Sequence, residues 1–115
     1  MSNHKEIEER VDKNIADLKA VYDLFVISPK YVKSSTFNTF NRGSIELNFN
    51  RGDAIETAYV DVDRDGFFVI RLGCWCAMTP RARERIENKS FESAHEALVY
   101  ALETIEKINR FFDQF

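Results

Sequence analysis

The chain reads as a two-layer α+β fold: an N-terminal helix, a four-stranded antiparallel meander, a short helix and a long C-terminal helix, with the helices packed on one face of the sheet. Three observations predict it. Apolar residues recur at helical spacing at both ends of the chain, the spacing switches to alternation in the middle, and Gly-containing turns separate the alternating runs too closely for crossover connections.

The first helix rests on Ile7, Val11, Ile15, Leu18, Tyr22 and Phe25, which trace one helical stripe. Asn3 and Glu6 have the spacing of a capping box, and Ser28-Pro29 predicts the stop because a residue before proline avoids α geometry. Glu8, Glu9, Asp12, Lys13, Asn14 and Lys19 fall between the stripe positions and form the solvated side.

In the middle of the chain Ile45, Leu47 and Phe49 alternate with Ser44, Glu46 and Asn48, and Ala58, Val60 and Val62 alternate with Tyr59 and Asp61. These are half-buried strands. Strands are expected near 32–40, 44–50, 54–62 and 67–76, punctuated by Asn41-Arg42-Gly43, Asn50-Arg51-Gly52-Asp53 and the two-residue hairpin signal Asp65-Gly66. Thr79-Pro80 predicts an N-cap and first-turn proline for a short helix through about Glu87. Ser93 and Glu96 form an S-x-x-E box that opens the last helix. Its apolar face is Ala94, Ala97, Leu98, Ala101, Leu102, Ile105, Ile108, Phe112 and Phe115, and Glu103–Lys107 and Glu106–Arg110 are expected ion pairs one turn apart. No repeat, linker or low-complexity tract interrupts residues 1–115, so a single domain is expected.

Composition bounds the function. The chain carries 16 basic and 19 acidic residues for a net charge of −3, which argues against bulk electrostatic binding to DNA or an anionic membrane. Charge is uneven: residues 77–91 hold four bases and two acids, whereas residues 92–115 hold two bases and five acids. Without an apolar leader or span near Met1, and with only Cys74 and Cys76 as cysteines, the expectation is a cytoplasmic protein that does not enter a membrane.

Each chemistry-bearing cluster has a plain structural reading. Asp61-Val62-Asp63-Arg64-Asp65-Gly66 copies the opening of a calcium loop, yet Leu72 stands where the bidentate acid of an EF-hand belongs and Val69 where a ninth-position acid would. A soluble turn is the better reading, with no metal. Cys74-Trp75-Cys76 lacks two further zinc ligands nearby, since His4 and His95 lie on different helices. On a strand both sulfurs fall with Phe68, Ile70 and Leu72 on the inward side, as reduced core filler. His95, off the apolar stripe, reads as a surface histidine. Arg81, Arg83 and Arg85 follow a helix N-terminus and are the candidate contacts for phosphate or nucleic acid, although Glu84 and Glu87 dilute their field.

No G-x-S-x-G, H-E-x-x-H, Walker A or G-x-G-x-x-G sequence occurs, so the sequence leans away from an enzyme and implies no catalytic residue and no cofactor. If Phe68, Ile70 and Leu72 face the helices, then Phe67, Val69, Arg71 and Trp75 face outward, joined by Tyr59 and Phe37; such a patch has the composition of a binding hot spot. The leading expectation is therefore a small non-enzymatic interaction module, adaptor or inhibitor, which binds another protein and forms a homodimer through this aromatic sheet face. The alternative is a nucleic-acid-binding domain that uses the three arginines and stacks bases on the sheet aromatics. A further alternative is a small-ligand or enzymatic domain with its pocket between sheet and helix.

Overall fold

A computed structural model of the chain describes residues 3–28, 30–39, 43–73 and 79–112. The elements are α1 (Asn3–Leu24), β1 (Val32–Asn38), β2 (Ser44–Arg51), β3 (Ala54–Val62), β4 (Phe68–Leu72), α2 (Pro80–Glu87), β5 (Ser90–Phe91) and α3 (Ala94–Phe112). The sheet is antiparallel in the order β1-β2-β3-β4-β5. Among the described residues it has five strands where the sequence predicts four. Ser90–Phe91 is too short to show a period, and only its pairing of Phe91 with Phe68 and Ser90 with Val69 makes it a strand.

Alternation sorts the sheet into two faces. Ile45, Leu47 and Phe49 of β2, Ala58, Val60 and Val62 of β3, and Phe68, Ile70 and Leu72 of β4 are buried. Against them pack Leu18 of α1 and Ala94, Ala97, Leu98, Ala101, Ile105 and Ile108 of α3, so both long helices lie on one face and touch each other. Val11, Ile15 and Tyr22 complete the α1 stripe as partly buried neighbours of this core. α1 stops at Leu24, four residues before Ser28; Phe25 still donates its N–H to Val21 O at 2.9 Å, then the chain leaves the helix and Phe25 packs its ring against His95 of α3 at 5.7 Å.

Two glycines are there for local reasons. Gly43 must be small because a Cβ would stand 2.9 Å from Ile15 Cγ2, so it lets β2 enter beneath α1. Gly66 has φ +91°. The sequence predicts a two-residue hairpin at Asp65-Gly66, but the loop holds three residues: Gly66 N–H donates to Asp63 O at 3.0 Å and Asp63 N–H to Phe67 O at 2.9 Å, a turn followed by a left-handed glycine. The Asp63 carboxylate decides this, because its Oδ1 accepts from the N–H groups of Asp65 and Phe67, each at 2.9 Å. α1 then clasps the loop: Arg10 donates to Asp65 O from Nε at 2.8 Å, and Asn14 Nδ2 donates to Gly66 O at 2.5 Å.

The exposed edge of β4 is covered in two ways. β5 pairs with its first residues, and α2 supplies side chains to its last. Arg83 donates to Leu72 O at 2.7 Å, while Glu87 Oε1 accepts from Leu72 N–H at 3.0 Å, so the backbone of Leu72 is satisfied as if a strand lay beside it. Thr79 caps α2 by accepting from Ala82 N–H at 3.2 Å, with Pro80 in the first turn as the sequence implies.

Candidate interaction surfaces

The sheet face opposite the helices carries Ser44, Glu46, Asn48, Thr57, Tyr59, Asp61, Val69 and Arg71, by the register that pairs Glu46 with Tyr59, Tyr59 with Arg71 and Asp61 with Val69. Much of this face is a hydrogen-bonded ladder. Thr57 donates to Asn48 Oδ1 at 2.8 Å, Asn48 donates to Ser34 Oγ at 3.1 Å, and Ser44 donates to Asp61. Asp61 also accepts from Arg71 Nε at 2.9 Å, and the guanidinium of Arg71 lies 4.1 Å from the centre of the Tyr59 ring. Tyr59 and Arg71 are thus held in one arrangement by an ion pair and a cation–π contact.

Of the expected interaction residues, Tyr59, Val69 and Arg71 are brought together here. Phe37 is not. It stands opposite buried Ile45, with its ring 6.1 Å from Tyr22, on the helix side of the sheet. The cause is a register shift between Val32 and Ser34. Val32 and Phe37 are an odd number of residues apart, and only an extra residue lets both face inward. Phe67 is half exposed at the hairpin, where Arg10 of α1 lies 4.8 Å over its ring, at the margin of the ladder. Trp75, with Cys74 and Cys76, lies outside the described residues. Among the described residues Tyr59 is therefore the ring that stands within the outward ladder, which is more polar than the sequence implies.

A groove of about 590 Å³ runs between this face and α2, lined by Ile55, Thr57, Tyr59, Arg71, Gly73 and Arg83 among others. Ile55 is 73% exposed. Gly73 keeps the groove floor close to β3: its N–H donates to Thr57 O at 2.7 Å, and a Cβ would meet that oxygen at 2.9 Å. Arg81 and Arg85 are exposed on α2, whereas Arg83 is committed to Leu72 O and to Glu87, 3.3 Å away. The three arginines therefore do not form one free basic cluster.

A second groove, of about 390 Å³, lies on the helix side between α3 and the segment that joins α1 to β1; Phe25, Val26, Tyr31, Val32, Val99 and Leu102 give it an apolar lining, with Lys30, Glu103 and Glu106 at its rim. Leu24, the last residue of α1, and Val26 of this segment are 85% and 90% exposed. A shallower depression of about 310 Å³ continues along α3 past Val99 to His95, Glu96 and Tyr100. The expected Glu106–Arg110 pair forms at 2.6 Å; no Glu103–Lys107 pair is present among the described residues. A hydrogen bond with Tyr31, and secondly the charge of Glu106, raise the Arg110 pKa above its ordinary value, so this guanidinium stays charged and occupied at the far end of the groove.

Among the described residues no group of three or more His, Cys, Asp or Glu side chains is placed to hold a metal ion. In the hairpin that copies a calcium loop, Asp63 caps the turn and Asp61 faces Arg71. Millimolar calcium is accordingly expected to leave the melting temperature unchanged, since a cation bound to the native state must raise it; a rise of several degrees in a thermal-denaturation series would assign these carboxylates to a metal instead. Among the described residues, no helix is long and apolar enough to cross a membrane. No protein-family model, no curated protein and no solved structure matches the chain, so any function must be argued from these surfaces.

Proposed function

We propose that this chain is a non-enzymatic protein-interaction module that associates with a second copy of itself through the sheet face opposite the helices. The observation that carries this reading is the fixed Tyr59–Arg71–Asp61 arrangement, which stands beside exposed Ile55 on a face that no described element covers. Tyr and Arg are the residue types on which binding energy concentrates, and a side chain already held in its bound geometry loses less entropy when a partner arrives. The polar ladder around them suits the rim of an interface, where hydrogen bonds and water coexist. Asp61 and Arg71 of this face are paired with one another, which suits binding better than proton transfer.

Sedimentation velocity tests the reading. The wild type is expected to sediment as a concentration-dependent dimer, and Tyr59→Ala with Arg71→Glu to weaken it by about 30-fold or more, the effect of losing roughly 2 kcal/mol at a central anchor. Circular dichroism of the variant should stay native, because both side chains point away from the core. A wild type that remains monomeric at hundreds of micromolar removes self-association. Steeply salt-dependent binding of single-stranded nucleic acid that is lost in Arg81→Ala with Arg85→Ala would replace the module by a nucleic-acid-binding domain.

A further inference from the structure

We propose that the edge strand β1 pairs antiparallel with β1 of a second copy, so that two sheets join into one across a two-fold axis at Thr36. This goes beyond the sheet-face reading, since it uses the rim of the sheet and leaves both faces as they are.

The two edges of the sheet are treated differently. β4 is covered by β5 and by Arg83 and Glu87, which satisfy the backbone of Leu72. β1 has β2 on one side; among the described residues no strand or backbone hydrogen bond reaches its other side, where Lys33, Ser34 and Thr36 are exposed. In a strand with one neighbour, alternate N–H and C=O groups point outward and accept another strand. A charge and a bulge deter such pairing, and both sit at the start of β1, at Lys33 and between Val32 and Ser34. Residues 34–37 hold neither charge nor proline.

Symmetry selects both the occupant and the register. Ser35 and Phe37 stand opposite buried Leu47 and Ile45 and face the helices, whereas Ser34 and Thr36 face the other way. A two-fold axis normal to the sheet keeps the helices of both copies on one side, so inward residues must meet inward residues and the axis passes through a residue. The bulge breaks the run before Ser34, which puts Thr36 at the middle of the regular stretch, residues 34–38. Thr36 then meets Thr36 of the second copy, a favourable cross-strand pair, and Ser35 meets Phe37. Ser35 Oγ lies 3.2 Å from the Tyr22 hydroxyl, so each half-buried Phe37 comes beside the other copy's Ser35 and Tyr22 and loses more of its apolar surface to the interface. No like charges are opposed. The two Lys33 side chains stand about 20 Å apart along the pair, beyond the screening length of about 8 Å at physiological salt. A strand of another protein would have to reproduce this register; a second copy has it by symmetry. So short a stretch buries less than the roughly 800 Å² per partner of a standard interface, so association through the edge is expected at hundreds of micromolar.

Sedimentation velocity of the Tyr59→Ala, Arg71→Glu protein reads the edge without the face. It is expected to show a dimer at hundreds of micromolar. Adding Thr36→Glu should weaken that dimer at least tenfold, because the new carboxylates meet across the axis, each beside its own Glu46. An equimolar mixture with the Thr36→Lys version should recover the dimer, which a misfolded chain could not do. In Thr36→Cys, mild oxidation should link two copies through residue 36 in a non-reducing peptide map, since opposed Cα atoms lie about 4.5–5.5 Å apart. A protein that stays monomeric without the face contact would overturn the proposal and leave the edge to a strand of another protein. So would a dimer unmoved by Thr36→Glu, a loss that Thr36→Lys does not repair, or no link through residue 36. A wild-type dimer that resists Tyr59→Ala with Arg71→Glu and yields to Thr36→Glu would remove the sheet-face reading and keep this one.

Discussion

Replacing Arg51 by methionine is expected to destabilise the fold by about 3–5 kcal/mol, because it strands a buried carboxylate. Glu56 points to the helix side of β3, opposite Phe49, and its side chain is only 2% exposed. Its Oε1 accepts from Arg51 Nε at 2.9 Å, across the tight turn that joins β2 to β3. Arg51 reaches it from a position 24% exposed, so one partner has given up water and the other has not entirely. The Coulomb gain of such a pair roughly offsets its desolvation, and removal of one member leaves the penalty without the gain. Thermal denaturation should register a fall in Tm of roughly 12–20 °C for a chain of this size. The companion double variant, Arg51→Met with Glu56→Leu, should return to within about 1 kcal/mol of the wild type, since it removes both charges and keeps the volume. If the single variant costs less than about 1 kcal/mol, water must reach Glu56 and the site is not part of the interior.

A second large effect separates two adjacent residues. Phe68→Ala should cost about 3–5 kcal/mol and Phe67→Ala no more than about 1 kcal/mol, measured as shifts of the urea midpoint at constant slope. Phe68 is 1% exposed, stands between Val62 of β3 and Phe91 of β5, and anchors the short strand that covers the edge of β4. Its truncation leaves a cavity in the core beneath the start of β4. Phe67 is 45% exposed and gains chiefly the guanidinium of Arg10 over its ring. Equal costs would mean that the strand sits one residue out of this register, for a one-residue slip exchanges the two faces.

Much of the scaffold is legible without coordinates because it obeys local periodicity. The α1 and α3 stripes, the alternation of β2 and β3, the Thr79 cap and the cap by which Ser93 Oγ accepts from Glu96 N–H each need only a few neighbouring residues, and each is present. Failures occur where a distant contact decides. β5 exists because Phe91 reaches Phe68, and two residues cannot announce a strand by pattern. Phe37 faces the helices because a bulge shifts β1, and Val32-Lys33-Ser34-Ser35 has too few apolar residues for the shift to be read. The hairpin holds three residues because a carboxylate caps it, and the dipeptide Asp-Gly is silent about that.

The candidate surfaces divide in the same way. Tyr59, Val69 and Arg71 can be placed on one face by counting in twos along β3 and β4, but the ion pair that fixes Arg71 over Tyr59 needs Asp61 alongside in space. The α3 groove escapes sequence reasoning altogether: Phe25 and Val26 look like the end of a helix, and Glu103 looks like the partner of Lys107. Sequence by itself determined which residues are apolar, at what period, and between which turns, and that is enough for the α+β class and the inward faces, because burial of a periodic stripe is a local demand repeated along the chain. Only tertiary structure decided which carboxylates find a cation, which edge is covered and where apolar side chains are left in water. Those outcomes depend on what a second element, distant in the chain, brings to the same point in space.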